Sequence, residues 1–272
     1  IAWLSWHFVA ARAVIAVLLW TAFARAIVAY SRRQDAGGDP RLTARNIRLS
    51  IIGLLVFAVT FSVASFDWIM SIEPEWYSTI FAVYQFAGFF SSGLAAIILA
   101  VVALRRGPLH GVVTDEHLHD LGKLLFAFCT FWMYIWFSQY MLIWYANIPE
   151  EPLYFIKRSS NGWLPSLLLL PVLKFVVPFL LLVPREAKRN PRRLVPVAAL
   201  IVFAQFWELY VMVAPAMGHG DHVAHGHLPL VELAATLGFL GLFVLVFGWA
   251  LARHDAVPLK DPALAECLDY HS

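Results

Sequence analysis

Apolar residues run along this chain in long unbroken stretches separated by short polar loops, with none of the two-residue alternation that half-buried strands show. A helix needs about 20 mostly apolar residues to cross a hydrocarbon core of roughly 30 Å. Seven stretches meet that length: Trp3 to Tyr30, Leu49 to Met70, Tyr77 to Leu104, Leu121 to Tyr145, Trp163 to Val183, Leu194 to Val213 and Leu230 to Leu251. The pattern predicts an all-α fold, a polytopic membrane helix bundle of seven transmembrane helices over residues 1–252, with a tail over 253–272. A porin-like barrel, whose strands alternate, is excluded. The prolines at 165, 171, 178 and 184 predict a kinked or locally unwound fifth span, which a membrane tolerates only where protein or cavity water satisfies the freed carbonyls.

Composition supports the membrane assignment: 61% of the 272 residues are hydrophobic and 14% charged. An ordinary soluble domain carries about 25% charged residues. The net charge of +2 gives no electrostatic case for nucleic-acid binding, so partners belong in or beside the bilayer, lipid among them. Fifteen Lys and Arg residues fall in alternate loops and the tail, against Lys157 and Arg158 in the others. The positive-inside bias therefore puts the tail in the cytoplasm and the first helix's start on the opposite face. Trp68, Trp76, Tyr77, Trp144, Tyr145 and Trp163 stand at the other ends, where an aromatic belt belongs. Two cysteines, Cys129 and Cys267, are too few for a disulfide framework. The chain begins at Ile1 within apolar sequence, with neither a Met nor a signal-peptide pattern, and reads as the later part of a longer subunit.

An ionisable side chain inside a span costs at least about 2.5 kcal/mol near the bilayer centre, so such residues are the first functional candidates. In the outer halves of the spans they are His7 and Arg12 in the first, Asp67 in the second, Lys174 in the fifth, Glu208 in the sixth and Glu232 at the start of the seventh. At about 1.5 Å per residue, Lys174 lies about 16 Å and Glu208 roughly 8 Å below the outer ends of their spans. Two readings follow. Arg12 and Lys174 neutralise Asp67 and Glu208 and fix helix packing, or the six residues form a half-channel in which groups at successive depths pass protons. Gln205 and Tyr210 would be the hydrogen-bonding neighbours of Glu208.

Trp132, Trp136, Tyr140 and Trp144 recur every fourth residue and share one helical face, with Ser138 and Gln139 beside it. Such a wall is lipid-facing or packing surface, or it holds a flat quinone ring against Trp132, Trp136, Tyr140 and Gln139. The loop from His219 to His227 carries four histidines; it is a solvated, metal-free loop, or its imidazoles converge on a zinc or copper ion. In Asp115 to Asp120 the pattern predicts an amphipathic lead-in with Asp120 capping the fourth helix. Intramembrane haem needs facing histidines, and only His7 lies within a span. A retinal Schiff base would need its lysine in the last span, two helices after Lys174.

The run from Ser65 to Phe81, SFDWIMSIEPEWYSTIF, resembles the second NrfD-like membrane subunit of alternative complex III, the quinol:cytochrome c oxidoreductase that stands in for the bc1 complex in some bacteria. The segment from Glu116 to Glu151, with EHLHDLGKLLFAF and SQYMLIWYANIPEE, and the tail from His254 to Glu266, HDAVPLKDPALAE, carry the same resemblance. It implies a bacterial inner-membrane protein that supports quinol oxidation and proton translocation. It also implies partners that hold the haem c and the iron–sulfur clusters: a multihaem cytochrome c, an iron–sulfur protein and a second NrfD-like subunit. Members of that family have additional N-terminal spans. The same general fold serves as the quinone-reactive membrane subunit of polysulfide- and nitrite-reductase-type enzymes.

Overall fold

A computed structural model describes residues 2–217, 230–253 and 255–268. Among them there is no strand, and seven helices are long and apolar enough to cross a membrane, so the chain is a multi-pass all-α membrane protein. It divides into two compact units, residues 1–71 with 255–272 and residues 72–254.

The first unit is a hairpin of α1 (Trp6–Gly37) and α2 (Arg41–Trp68) with the tail segment that carries α11 (Leu264–Leu268). Both long helices are apolar nearly all round, and polar links hold their register. Trp20 Nε1 donates to Thr60 Oγ1 at 2.8 Å, and Asn46 Nδ2 donates to the Ile27 carbonyl at 3.2 Å. Gly53 meets the Phe23 ring so closely that a Cβ would stand 3.1 Å from it. Gly38 ends α1 in the left-handed conformation that favours glycine, φ 70°, its N–H on the Gln34 carbonyl. The tail returns to this turn: Gln34 Nε2 donates to the Lys260 carbonyl at 3.2 Å, and the Lys260 N–H donates to Asp35 Oδ1 at 3.0 Å.

The second unit contains α3 (Phe81–Leu104), α4 (Asp115–Ala146), the short α5 (Leu153–Ser159), α6 (Leu164–Pro171), a π-helical turn (Val172–Val176), α7 (Val177–Leu182), α8 (Arg185–Arg189), α9 (Pro191–Met217) and α10 (Leu230–Leu251). The fifth span is thus α6, the π turn and α7 in one line. Pro171 and Pro178 bracket the turn, each lacking the N–H that an α-helix would use, and the wider π register absorbs the mismatch. The buried face of α9 recurs every three or four residues, at Leu194, Val197, Ala198, Ile201, Ala204, Glu208, Val211, Met212 and Pro215. Its first half packs on Leu94, Ile98, Leu118, Leu125 and Leu182 in an apolar core, and its second half meets polar side chains. No residue of α10 is buried.

Several boundaries differ from the sequence reading. α4 begins at Asp115, because the Thr114 hydroxyl and backbone N–H both meet His117 Nδ1, at 2.7 and 3.2 Å, in a capping box. Asp120 therefore does not cap the helix; it lies in the second turn and pairs with Lys123. α9 starts at Pro191, a residue suited to the first helical position. Trp76 and Trp163 are buried instead of standing in a lipid-facing belt, whereas Trp68, Tyr77, Trp144 and Tyr145 are exposed.

α8 docks on α4 through Gly122, where a Cβ would lie 2.9 Å from Lys188 Cβ and 3.3 Å from its Cα. Lys188 in turn donates to the Leu182 and Val183 carbonyls at the end of α7, at 2.6 and 3.1 Å. A Gly122→Val substitution overpacks this crossing and is expected to cost about 1–3 kcal/mol. It should lower the thermal unfolding temperature followed by circular dichroism in detergent; an unchanged temperature would contradict this packing.

Candidate functional site

The centre of the second unit is built by the π turn and α9. Lys174 is the middle residue of the π turn and is 1% exposed, as is Glu208 on α9. Their charged groups are in direct contact, Lys174 Nζ on Glu208 Oε2. Each has a further partner: Nζ donates to Gln205 Oε1 at 2.8 Å, and Trp132 Nε1 of α4 donates to Glu208 Oε1 at 2.8 Å. The Lys174 ammonium also lies 4.8 Å from the centre of the Trp132 ring. From α3, Tyr84 brings its phenol to the Glu208 carboxylate. Gly88 clears the space between the helices, since a Cβ there would stand 2.9 Å from Gln205 Oε1, 3.0 Å from Glu208 Oε2 and 3.2 Å from Lys174 Nζ. Four elements thus converge on one pair, and the pair of Lys174 with Glu208 expected from depth alone is formed.

A second buried charge stands beside it. Arg158 on α5 is 1% exposed. Its Nη1 donates to Glu73 Oε2 and to the Tyr154 carbonyl, both at 3.0 Å, and its Nε donates to the Val211 carbonyl at 3.1 Å. Nη2 donates to the Met212 carbonyl. The reason lies in α9. Pro215 has no N–H, so the Val211 carbonyl four residues earlier loses its helical partner and takes the guanidinium instead. Arg158 also stacks 3.5 Å over the Tyr154 ring, and Tyr154 stacks on Trp76, whose Nε1 donates to the Glu151 carbonyl at 3.0 Å. Burial pushes the Tyr154 phenol above its ordinary range, with Arg158 pulling it partly back, so it keeps its proton at neutral pH.

The sequence places Arg158 among the loop charges and leaves Glu73, Tyr84, Gln85 and Tyr154 without a role. One signal was present: Pro215 inside a span leaves a carbonyl that needs a donor, and Arg158 lies in the loop facing that end of the helix.

The aromatic stripe forms as spaced. Trp132 and Trp136 stack at 6.2 Å between ring centres, and Trp136 and Tyr140 at 6.3 Å. Its ends have different surroundings. Trp132 is buried on Glu208, while Trp136, Tyr140 and Trp144 line an open cleft of about 450 Å³ with Phe155, Ile156 and Leu168. Gln139 is 2% exposed and lies behind Trp136.

In the first unit Arg12 grips Asp67 with two bonds, Nε to Oδ2 at 2.6 Å and Nη2 to Oδ1 at 2.9 Å. Trp3 Nε1 adds a third bond to Oδ1 at 3.2 Å, and the guanidinium lies 4.0 Å over the Trp3 ring. Of the other sequence candidates, His7 is exposed on α1 and Glu232 is exposed in the first turn of α10. The loop from His219 to His227 lies outside the described residues. A scan of the sequence against models of protein families finds no match, and a comparison with curated proteins finds none either.

The pair's energetics yield a paired test. Removing one partner leaves an uncompensated charge at full burial, so Lys174→Met should cost about 3–5 kcal/mol, whereas Lys174→Met with Glu208→Met should recover most of that loss. Thermal unfolding of the purified variants checks it. A single variant as stable as the parent would show that the two charges do not depend on each other.

Proposed function

We propose that the chain is an integral membrane subunit of a respiratory quinol:cytochrome c oxidoreductase of the alternative complex III type, in which it carries a proton path beside quinol oxidation. The observation that supports this most is a lysine and a carboxylate in contact at full burial, with a phenol, an amide and an indole N–H around them. In this reading the complex resides in a bacterial inner membrane, with the tail of this chain in the cytoplasm. Its haem c and iron–sulfur clusters are held by partner subunits: a multihaem cytochrome c, an iron–sulfur protein and a second NrfD-like subunit.

The pair has two forms of equal net charge, ammonium with carboxylate and amine with carboxylic acid. Moving the proton from Lys174 Nζ to Glu208 Oε2 changes no net buried charge and avoids the desolvation cost of a lone ion. A proton delivered to the amine and another released by the carboxylic acid restore the first form, with one proton carried across. Tyr84 is the neighbour through which the carboxyl group exchanges. The driving step belongs to the partners, where quinol gives up two electrons and two protons to become quinone.

Quinone contact by this chain itself is a second reading, favoured by the cleft lined by Trp136, Tyr140 and Phe155. Its volume suits a substituted ring with part of an apolar tail. Trp132 and Gln139 would then support the wall from behind.

Purification of the full-length protein from its own membrane in mild detergent is expected to bring haem c and an iron–sulfur subunit in constant ratio. Glu208→Gln lowers stability by unpairing Lys174, and in the complexes that assemble it should leave quinol oxidation intact and lower the protons moved per electron in reconstituted vesicles. An unchanged ratio would remove Glu208 from the path, and a colourless protein purified alone would overturn the complex.

A further inference from the structure

A small cavity of about 10 Å³ is walled by Tyr84, Gln139 and Tyr154 with Trp136, Phe155, Leu167 and Met212. A cavity of roughly 10–15 Å³ holds one water when two to four polar groups line it. Here the two phenols and the Gln139 amide supply them. Gln139 is 2% exposed, and its Nε2 has no hydrogen-bond partner in the protein, a buried donor that folding penalises unless it is met. The neighbouring amide, Gln85, differs: its Nε2 donates to Met212 Sδ at 2.9 Å.

We propose that this cavity is a binding site for a single internal water, held by Gln139, Tyr84 and Tyr154. The water oxygen accepts from Gln139 Nε2, and its two hydrogens go to the phenolic oxygens of Tyr84 and Tyr154. Both phenols are buried, and each offers an O–H to donate onward and a lone pair to accept. The Tyr84 phenol stands beside the Glu208 carboxylate, so the water lies on the line from the Lys174 and Glu208 pair towards Tyr154 and Arg158. Trp136, Phe155 and Leu167 stand in the walls of both this cavity and the open aromatic cleft, which makes that shared wall the route of exchange. The site stands on geometry alone; its part in proton transfer rests on the function proposed above.

Hydroxyl-radical footprinting by short X-ray pulses tests it in the full-length protein in its native complex, because radicals form from bound water and label side chains beside it. Tyr84, Tyr154 and Met212 are expected to be labelled well above Trp163, which is buried to 1% exposure outside the cavity lining. Labelling of the three at the Trp163 level in the wild-type protein would overturn the proposal whatever any variant does. Gln139→Met keeps the side chain's length and removes the donor, so it should abolish the excess labelling while exposed Tyr145 is labelled as before. Persistent labelling in that variant would remove Gln139 as the anchor, and a wild-type density map with no peak between Gln139 and the phenols would contradict the site. Footprinting reads water and not transport. A labelled cavity with an unchanged proton-to-electron ratio in Glu208→Gln would sink the proton path and leave the water site standing.

Discussion

A lysine and a glutamate held out of water, each within reach of the other, set the terms on which the second unit is built. Neither Lys174 nor Glu208 could stay charged alone at that depth, since an isolated buried ion costs several kcal/mol even after relaxation. Their contact therefore constrains everything that brings them together. The fifth span needs a π turn to present Lys174, α9 must aim Glu208 at it, and α4 must supply the Trp132 indole for the carboxylate's second oxygen. α3 approaches closely enough that a Cβ at position 88 would displace the ends of Gln205, Glu208 and Lys174. Substituting any of these acts through the same pair.

The second charge group follows from a different necessity. Pro215 breaks the hydrogen-bond ladder of α9 within the buried region, and the freed carbonyl draws in Arg158, which then requires Glu73 for its charge. Both groups are charge-balanced, and the cavity walled by Tyr84, Gln139 and Tyr154 touches a neighbour of each, Tyr84 beside Glu208 and Tyr154 under Arg158. The interior thus separates along α9 into an apolar half, from Leu194 to Ile201, that supplies packing, and a polar half, from Ala204 to Pro215, that supplies chemistry. The first unit repeats the principle in simpler form, with Arg12 and Asp67 neutralising each other under the Trp3 ring.

Apolar run length carried most of the fold into view from sequence, because a membrane span is a one-dimensional requirement that each segment must meet alone. Seven spans, the irregular fifth helix and the aromatic stripe on α4 were all legible for that reason. The pairings of Lys174 with Glu208 and of Arg12 with Asp67 were legible as opposite charges in the outer halves of different spans. What escaped was burial at the ends of spans. Arg158, Glu73, Trp76 and Trp163 sit where loops and lipid-facing belts are expected, and their burial depends on how α5 folds back onto α9, which no local pattern encodes. The cap of α4 was misplaced because His117 serves at a position where Glu or Gln is usual.

The account depends on Lys174 and Glu208 resting as a charged pair. Infrared difference spectroscopy of the purified protein, with Glu208→Gln subtracted from the parent at neutral pH, measures that state directly. The account predicts that the band lost belongs to an ionised carboxylate and that the same band shifts when Lys174 is replaced. A lost band of a protonated carboxylic acid, insensitive to Lys174, would contradict it.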